Sequence, residues 1–187
     1  MSVADPKKDQ LREALILVFL AVLIAASKVT MRLPLKMPGH GMLLIIFLLS
    51  LGRALTGRAW AGLFMGCAAG AISLVLGGGF KSFSIFASYS LVGLLFDLLF
   101  MVSNPFVKRR WWLLIIWGAL APIPRGLPGW LRELLAGTDL WVIVTMNGAK
   151  VLPGLIFGAI GAALSWPLIQ ALSRRGYVQE MGDKARA

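Results

Sequence analysis

The stretch GRAWAGLFMGCAAGAISLVLGGG, from Gly57 to Gly79, decides the fold class of this chain. It is apolar for long enough to cross a bilayer, and glycine recurs in it at Gly62, Gly66 and Gly70. Residues four apart lie on one face of an α-helix. Each glycine weakens a helix in water, but in lipid it lets a neighbouring backbone approach closely. We therefore predict a transmembrane helix with a glycine packing face, at the centre of a helical bundle.

The composition of the whole chain is typical of an integral membrane protein. Of its 187 residues, 58% are hydrophobic and only 14% are charged, and the mean hydropathy is +0.81. A water-soluble domain of this length needs more polar surface. The length accommodates about six spans of ~20 residues with short loops. We predict an all-α integral membrane protein, a single transmembrane domain over residues 1–187 built as a bundle of about six transmembrane helices.

The distribution of basic residues predicts the orientation in the cell membrane. The formal net charge is +11, but lysine and arginine form short clusters between apolar runs, which favours the positive-inside rule over nucleic-acid binding. Most of the 19 basic residues fall on the side of the polar tails, residues 1–12 and 173–187. We therefore expect both termini in the cytoplasm and a multi-pass protein in the cytoplasmic membrane.

The later part of the chain contains two breaks in its apolar pattern. The segment FKSFSIFASYS, residues 80–90, is either an extended loop or the first turns of the fourth span. The fifth span is predicted to break at Pro122 and Pro124, and an amphipathic stretch follows that we expect at the outer membrane interface. The last span is expected to follow Pro153 and to run to about Leu172.

Polar and aromatic side chains gather at the predicted outer edge of the membrane. A small-molecule site needs an apolar and aromatic wall with a few convergent polar groups, and irregular backbone at membrane depth is tolerated where it lines a cavity. The excess of cations on this side favours an anionic ligand. The alternative is that these side chains only contact lipid headgroups. The predicted substrate-binding residues are Lys36, His40, Lys81, Tyr89, Arg125, Trp130, Asn147 and Lys150.

Sequence patterns for catalysis are scarce. No pair of carboxylates in or beside the predicted bilayer region has metal-binding spacing, His40 has no second histidine to join it, and neither a nucleophile elbow nor a P-loop occurs. Cys67 is the one cysteine, so no intramolecular disulfide can form. We predict no catalytic residue, metal or cofactor. Asp97 is the one carboxylate deep in an apolar run, and we favour its pairing with Arg53 or Arg58 over a proton-relay role.

Several segments together resemble the substrate-binding S-components of energy-coupling factor (ECF) transporters, which carry vitamins and related micronutrients. The resemblance covers nearly the whole chain and rests on architecture: about six short spans, a basic cytoplasmic edge, a first outer loop rich in proline and glycine, and a glycine-rich turn before the fourth span. The first helix contains AVLIA, from Ala21 to Ala25. The segments LVGLLFD (91–97) and LPGLIFGAIGAAL (152–164) are similar to that family's later helices.

The resemblance implies partners and a function. In that family an AxxxA face on the first helix meets a transmembrane coupling subunit, so Ala21 and Ala25 are expected to form a docking face; ordinary helix packing is the alternative. The outer loops and later helices enclose the substrate, so the predicted site would bind a vitamin-like small molecule. ATPase subunits would drive its delivery inward, and this chain itself would not be an enzyme.

Two other classes of function stay open. An integral membrane enzyme acting on a lipid or isoprenoid substrate would use Asp97, His40 and nearby cations, although the predicted topology separates these two residues across the bilayer. A purely structural membrane subunit would contain no pocket at all.

Overall fold

The structure, a computed structural model, describes residues 6–30, 39–77, 80–102 and 111–174. These residues form α-helices and one short 3₁₀ turn, and no β-strand occurs among them, which confirms the all-α prediction. The elements are α1 (Pro6–Thr30), α2 (Gly41–Thr56), α3 (Ala61–Gly77), α4 (Phe80–Val102), α5 (Trp111–Leu120), the 3₁₀ turn η1 (Ile123–Gly126), α6 (Leu127–Leu135) and α7 (Leu140–Arg174).

Three of these helices are long and apolar enough to cross a membrane. Their apolar windows are Gln10–Ser27 in α1, Phe83–Val102 in α4 and Val151–Arg174 in α7. Helices α2 and α3 are also apolar but have only 16 and 17 residues, about 25 Å at 1.5 Å per residue, against a hydrocarbon core of about 30 Å. The three long apolar helices indicate a multi-pass membrane protein.

Six helices pack in a closed ring. Helix α3 lies between α4 and α1, α1 continues the ring to α2, and α2 packs on α7. Helix α7 then packs on α5, and α5 with η1 returns to α4. We call the end of the bundle that holds Gly39, Ser84 and Arg125 the upper end, and the end that holds Arg53 and Asp97 the lower end.

Helix α2, and not α3, is the more deeply buried member of this ring. Ten of its 16 residues are buried, and their bulky members, such as Met42, Ile46 and Leu49, point to several sides of the helix. Helix α3 instead buries one face, while Phe64 and Val75 on its other faces are exposed. The expected central position of the glycine helix is therefore wrong. Small residues on a single face specify one close neighbour, whereas a helix that is buried on several sides needs apolar side chains on all of them.

The glycine face of α3 lies directly on α4. A Cβ added at Gly62 would stand 2.9 Å from the Gly93 carbonyl oxygen and 2.9 Å from Asp97 Oδ1. One added at Gly66 would overlap the Tyr89 carbonyl, and one at Gly70 would stand 3.0 Å from the Phe86 Cα. Because the partner atoms are mostly backbone, the two helices can approach this closely only if these positions carry no side chain.

The ends of α1, α4 and α7 differ from the sequence-based boundaries. Helix α1 begins at Pro6, inside the segment predicted as a polar tail, and proline is well suited to the first turn of a helix. Helix α4 begins at Phe80, so residues 80–90 are its first turns and not an extended loop. Helix α7 is continuous over 35 residues through Pro153 and Pro167. At about 52 Å it is longer than the last span that we predicted.

Candidate functional site

The upper end of the bundle contains a cavity of about 430 Å³, here called the upper cavity. It exists because α5 ends at Leu120: neither Pro122 nor Pro124 can donate a backbone hydrogen bond, so the chain turns into η1 and then α6. The predicted break of the fifth span is therefore present, and it forms one wall of the cavity. The lining residues are Gly39, Ser84, Ile85, Ser88, Pro122, Arg125, Gly126, Gly129, Trp130, Val151 and Gly154.

Arg125 lines this cavity, and Tyr89 lies close enough to Arg125 to interact with it electrostatically. Arg125 lies in η1 and is partly exposed to solvent, but desolvation by the surrounding protein still lowers the pKa of its guanidinium, while the nearby Tyr89 opposes that shift. An arginine side chain stays protonated in proteins, so the cavity carries a permanent cation. Tyr89 comes from α4 and is only 6% exposed. Two of the predicted site residues, distant in sequence, are thus brought together.

A serine of α4 ties this helix to the 3₁₀ turn. Ser88 Oγ lies 2.6 Å from the Ser84 carbonyl oxygen and 2.8 Å from the Arg125 carbonyl oxygen. A hydroxyl has a single hydrogen, so it donates to one of these carbonyls at a time and keeps its lone pairs as acceptors. This contact holds the backbone of η1 at Arg125 against α4.

Two glycines shape the other walls. The indole of Trp130 packs on Gly126, where an added Cβ would stand 2.7 Å from the indole Nε1. Gly39 has a φ of +89°, a left-handed conformation that favours glycine, and an added Cβ there would lie 2.8 Å from backbone atoms of Pro153 and Gly154. The loop before α2 and the first half of α7 are therefore in close contact at the cavity.

The remaining predicted site residues are only partly described. His40 follows the cavity-lining Gly39 and stands at the start of α2, half-buried. Lys36 lies outside the described residues. Lys81 belongs to the first turns of α4, and Asn147 and Lys150 to the first half of α7, but the side chains of these three lie outside what the structure describes.

The sequence-based prediction missed the two serines that line the cavity. Ser84 and Ser88 are four residues apart, so they lie on one face of α4. The spacing of the serines in residues 80–90 places Ser84 and Ser88 on one face only if this segment is helical. The sequence had left open whether the segment is a loop or a helix. Gly39 and Gly126 were missed as well, because glycines that allow a close contact cannot be told from loop glycines by sequence.

A second, apolar depression of about 740 Å³ adjoins the upper cavity, and we call it the apolar groove. It runs between α4, α6 and α7, and Ser84 and Trp130 line both depressions. Helix α6 has no buried residue and is strongly amphipathic, in agreement with an interfacial position. The lining residues are Phe83, Ser84, Ala87, Leu91, Leu127, Pro128, Trp130, Leu131, Arg132, Leu134, Leu135, Leu140, Ile143 and Val144.

Asp97 forms an ion-pair network at the lower end of the bundle. Its Oδ1 lies 2.5 Å from Arg53 Nη1, and the carboxylate also accepts the backbone N–H groups of Gly62 at 3.1 Å and Leu63 at 2.7 Å. The Arg53 guanidinium further donates to the Ala59 carbonyl. Of the two partners considered for Asp97, the structure therefore selects Arg53.

Arg58, the other partner considered for Asp97, belongs to a separate ion pair. Its Nε lies 2.7 Å from Glu13 Oε2, so it connects the turn between α2 and α3 with α1.

Ala21 and Ala25 lie on the inner face of α1. Their exposed fractions are 0% and 2%, and Ala21 belongs to the hydrophobic core shared with α2 and α3. The exposed face of α1 carries larger apolar side chains such as Leu15, Phe19 and Val22. In this structure the alanine pair therefore serves helix packing, the alternative considered above. Docking of a coupling subunit on these two alanines stays a prediction that would require this face to open.

The described residues contain no group of three or more His, Cys, Asp or Glu side chains that could hold a metal ion. Fold and site together define an all-α protein with transmembrane-length helices and a cation-bearing cavity at one end of its bundle. Comparison of the chain with protein-family models, curated proteins and solved structures finds no match.

Proposed function

We propose that this chain is the membrane-embedded substrate-capture subunit of an ECF-type ABC transporter. It would bind a vitamin or related micronutrient from the outer side and deliver it through a transmembrane coupling subunit and ATPases. The observation that carries this proposal is the upper cavity. It combines a cation, hydroxyl groups and an aromatic wall in a volume within the 300–1,000 Å³ typical of ligand sites.

The proposed topology has six spans, α1 to α5 and α7, with both termini in the cytoplasm. The ring arrangement supports it, because six helices pack as consecutive neighbours while α6 remains outside the ring. Helices α2 and α4 then start at the outer side, and so does the upper cavity. The basic residues of the lower end, Arg53 and Arg58, fall on the cytoplasmic side as the positive-inside rule requires.

The arrangement suggests how capture and release would work. A ligand entering from outside would meet Arg125 and Trp130 at the mouth of the upper cavity, beside the loop before α2. The described residues that line the cavity include no carboxylate, which favours an anion over a cation. Delivery then requires the whole bundle to reorient, because its lower end is closed by the Arg53–Asp97 network.

Native mass spectrometry of the purified chain tests this proposal. We expect a small anionic molecule to co-purify with the protein and to be lost in Arg125→Ala and in Trp130→Ala. Arg58→Ala is the matched control, because it removes an exposed arginine at the lower end and should retain the ligand. The absence of any bound small molecule, together with no coupling subunit in pull-downs, would contradict the proposal.

An integral membrane enzyme acting on a lipid or isoprenoid substrate is the second candidate, and the apolar groove is the observation that favours it. The surroundings of Asp97, a residue that this enzyme would use, argue against this candidate. Both carboxylate oxygens of Asp97 accept hydrogen bonds, and the residue lies about 20 Å along α4 from Ser84 at the upper cavity. This candidate would move ahead if Asp97→Asn abolished a measurable turnover while no ligand binding was found.

A further inference from the structure

We infer that the ligand of the upper cavity is an amphipathic anion, with its charged group beside Arg125 and an apolar chain lying in the groove between α4, α6 and α7. This inference rests on the proposed function and narrows the class of substrate.

The polar half of the argument concerns the upper cavity. Arg125 supplies a guanidinium, whose fork of N–H donors matches the oxygens of a carboxylate or phosphate. Ser84 lines the cavity from the α4 side with a hydroxyl group, whereas the hydrogen of the Ser88 hydroxyl is donated to a backbone carbonyl. Among the described residues that line the cavity, Arg125 is the one cation, and its neutral polar neighbours suit a ligand with one anionic group.

The apolar half concerns the groove. Its walls are almost entirely aliphatic or aromatic: Ala87 and Leu91 from α4, Leu131 and Leu135 from α6, and Ile143 from α7. Among the described residues that line the groove, Ser84, Trp130 and Arg132 are the ones with polar side-chain atoms. A depression of this composition gains free energy only by covering apolar surface, so a wholly polar ligand would leave it unused.

The upper cavity and the apolar groove are continuous, which favours one ligand that occupies both over two separate ligands. Ser84 and Trp130 line both depressions, so the groove begins where the cavity ends. The indole of Trp130 has an apolar body and one polar N–H, which suits the boundary between the two parts of an amphipathic molecule. A ligand whose anionic group reaches Arg125 can therefore extend past Trp130 into the groove without a break in contact.

The test uses butanoate, octanoate and dodecanoate, with their methyl esters as uncharged controls. Binding is measured by isothermal titration to the full chain in nanodiscs of neutral phosphatidylcholine. We expect the affinity of the carboxylates to rise by about fourfold for each methylene group that enters the groove. The Arg125→Ala variant should lose most carboxylate binding and leave the weak binding of the esters unchanged.

A groove variant separates chain contacts from general effects. Leu131 lies in α6 and is 58% exposed, so Leu131→Gln should not disturb folding. It is expected to weaken dodecanoate by several-fold and to leave butanoate unaffected. Leu15→Gln is the matched control, because Leu15 is 61% exposed on α1, away from the groove. Unchanged thermal unfolding of both variants verifies that they fold.

Three results would overturn the inference. Arg125-dependent binding that does not change with chain length would mean that the groove is not part of the site, while the proposed capture function would stand. Chain-length dependence that is equal for acids and esters and independent of Arg125 would mean that the groove holds tails of bilayer lipids. Failure of all three carboxylates to bind would exclude an amphipathic anion, and the co-purification experiment would then decide on the proposed function separately.

Discussion

Asp97 caps a helix to which it does not belong. The N–H groups of the first turn of a helix have no partner within that helix, and Gly62 and Leu63 stand in the first turn of α3. In lipid no water can satisfy them. The carboxylate comes from α4 and accepts both groups, and Arg53 from α2 balances its charge. A single side chain therefore joins three helices.

Removal of this carboxylate should strongly destabilise the protein. We expect Asp97→Ala to lower the free energy of unfolding by about 3–5 kcal/mol, because Arg53 would remain as a buried charge without its partner. Thermal unfolding in detergent measures the effect.

The partly exposed Arg58–Glu13 pair provides the control for this substitution. Arg58→Met should cost no more than about 1 kcal/mol, because solvent screens that pair. Equal losses in Asp97→Ala and Arg58→Met would show that the Asp97 network does not hold the helices together.

At the scale of elements, the contact between α3 and α4 depends on positions without side chains. Helix α7 has two glycines, Gly158 and Gly161, that allow close backbone contacts of the same kind. An added Cβ at Gly158 would overlap the Gly118 carbonyl of α5, and one at Gly161 would overlap the Leu43 carbonyl of α2. Lipid tails are as apolar as the side chains, so the hydrophobic effect does not drive these helices together. The close backbone packing that glycine permits stabilises the crossings instead.

An alanine substitution should therefore have opposite effects at two helical glycines. Gly66→Ala would press its Cβ onto the Tyr89 carbonyl, and we expect a loss of about 1–3 kcal/mol of stability. Gly148→Ala meets nothing within 4 Å, so it should be neutral or stabilising by up to about 1 kcal/mol. Thermal unfolding of the two variants compares them directly. A stable Gly66→Ala protein would contradict the close packing of α3 on α4.

The sequence predicted some elements well because their cause is local. Pro122 and Pro124 end α5 by removing two backbone donors, whatever surrounds them. The length of α7 could not be predicted in this way. Pro153 reads as a helix boundary, but α7 continues through it, and the backbone at Pro153 packs against Gly39 of a distant loop. Tertiary contacts of this kind leave no pattern near the residue that they affect.

At the scale of the whole molecule, the topology is open to a simple test. We expect green fluorescent protein to fluoresce when fused to either terminus, because it folds only on the cytoplasmic side, and alkaline phosphatase to be inactive at both. A phosphatase fused within the loop between α6 and α7, after Gly137, should be active. Opposite sides for the two termini would require an odd number of spans and would contradict the six-helix topology.

The sequence predicted where the candidate site lies better than it predicted which residues contact one another there. Charge and aromatic content indicated the upper end, where Arg125 and Trp130 line the cavity and Tyr89 lies near Arg125. The apolar groove was not predicted, because its walls are ordinary leucines of three helices. Which apolar faces enclose a depression depends on the order of helices around the ring, and amphipathic patterns alone do not specify that order.

The cap that Asp97 provides has a consequence for biosynthesis. When the first turn of α3 enters the membrane, the carboxylate that completes it still lies behind it in the nascent chain, because it belongs to the following helix. Only Gly78 and Gly79 separate the two helices in sequence. The translocon would therefore release α3 and α4 into lipid as one hairpin, with the earlier helix retained until its successor has arrived.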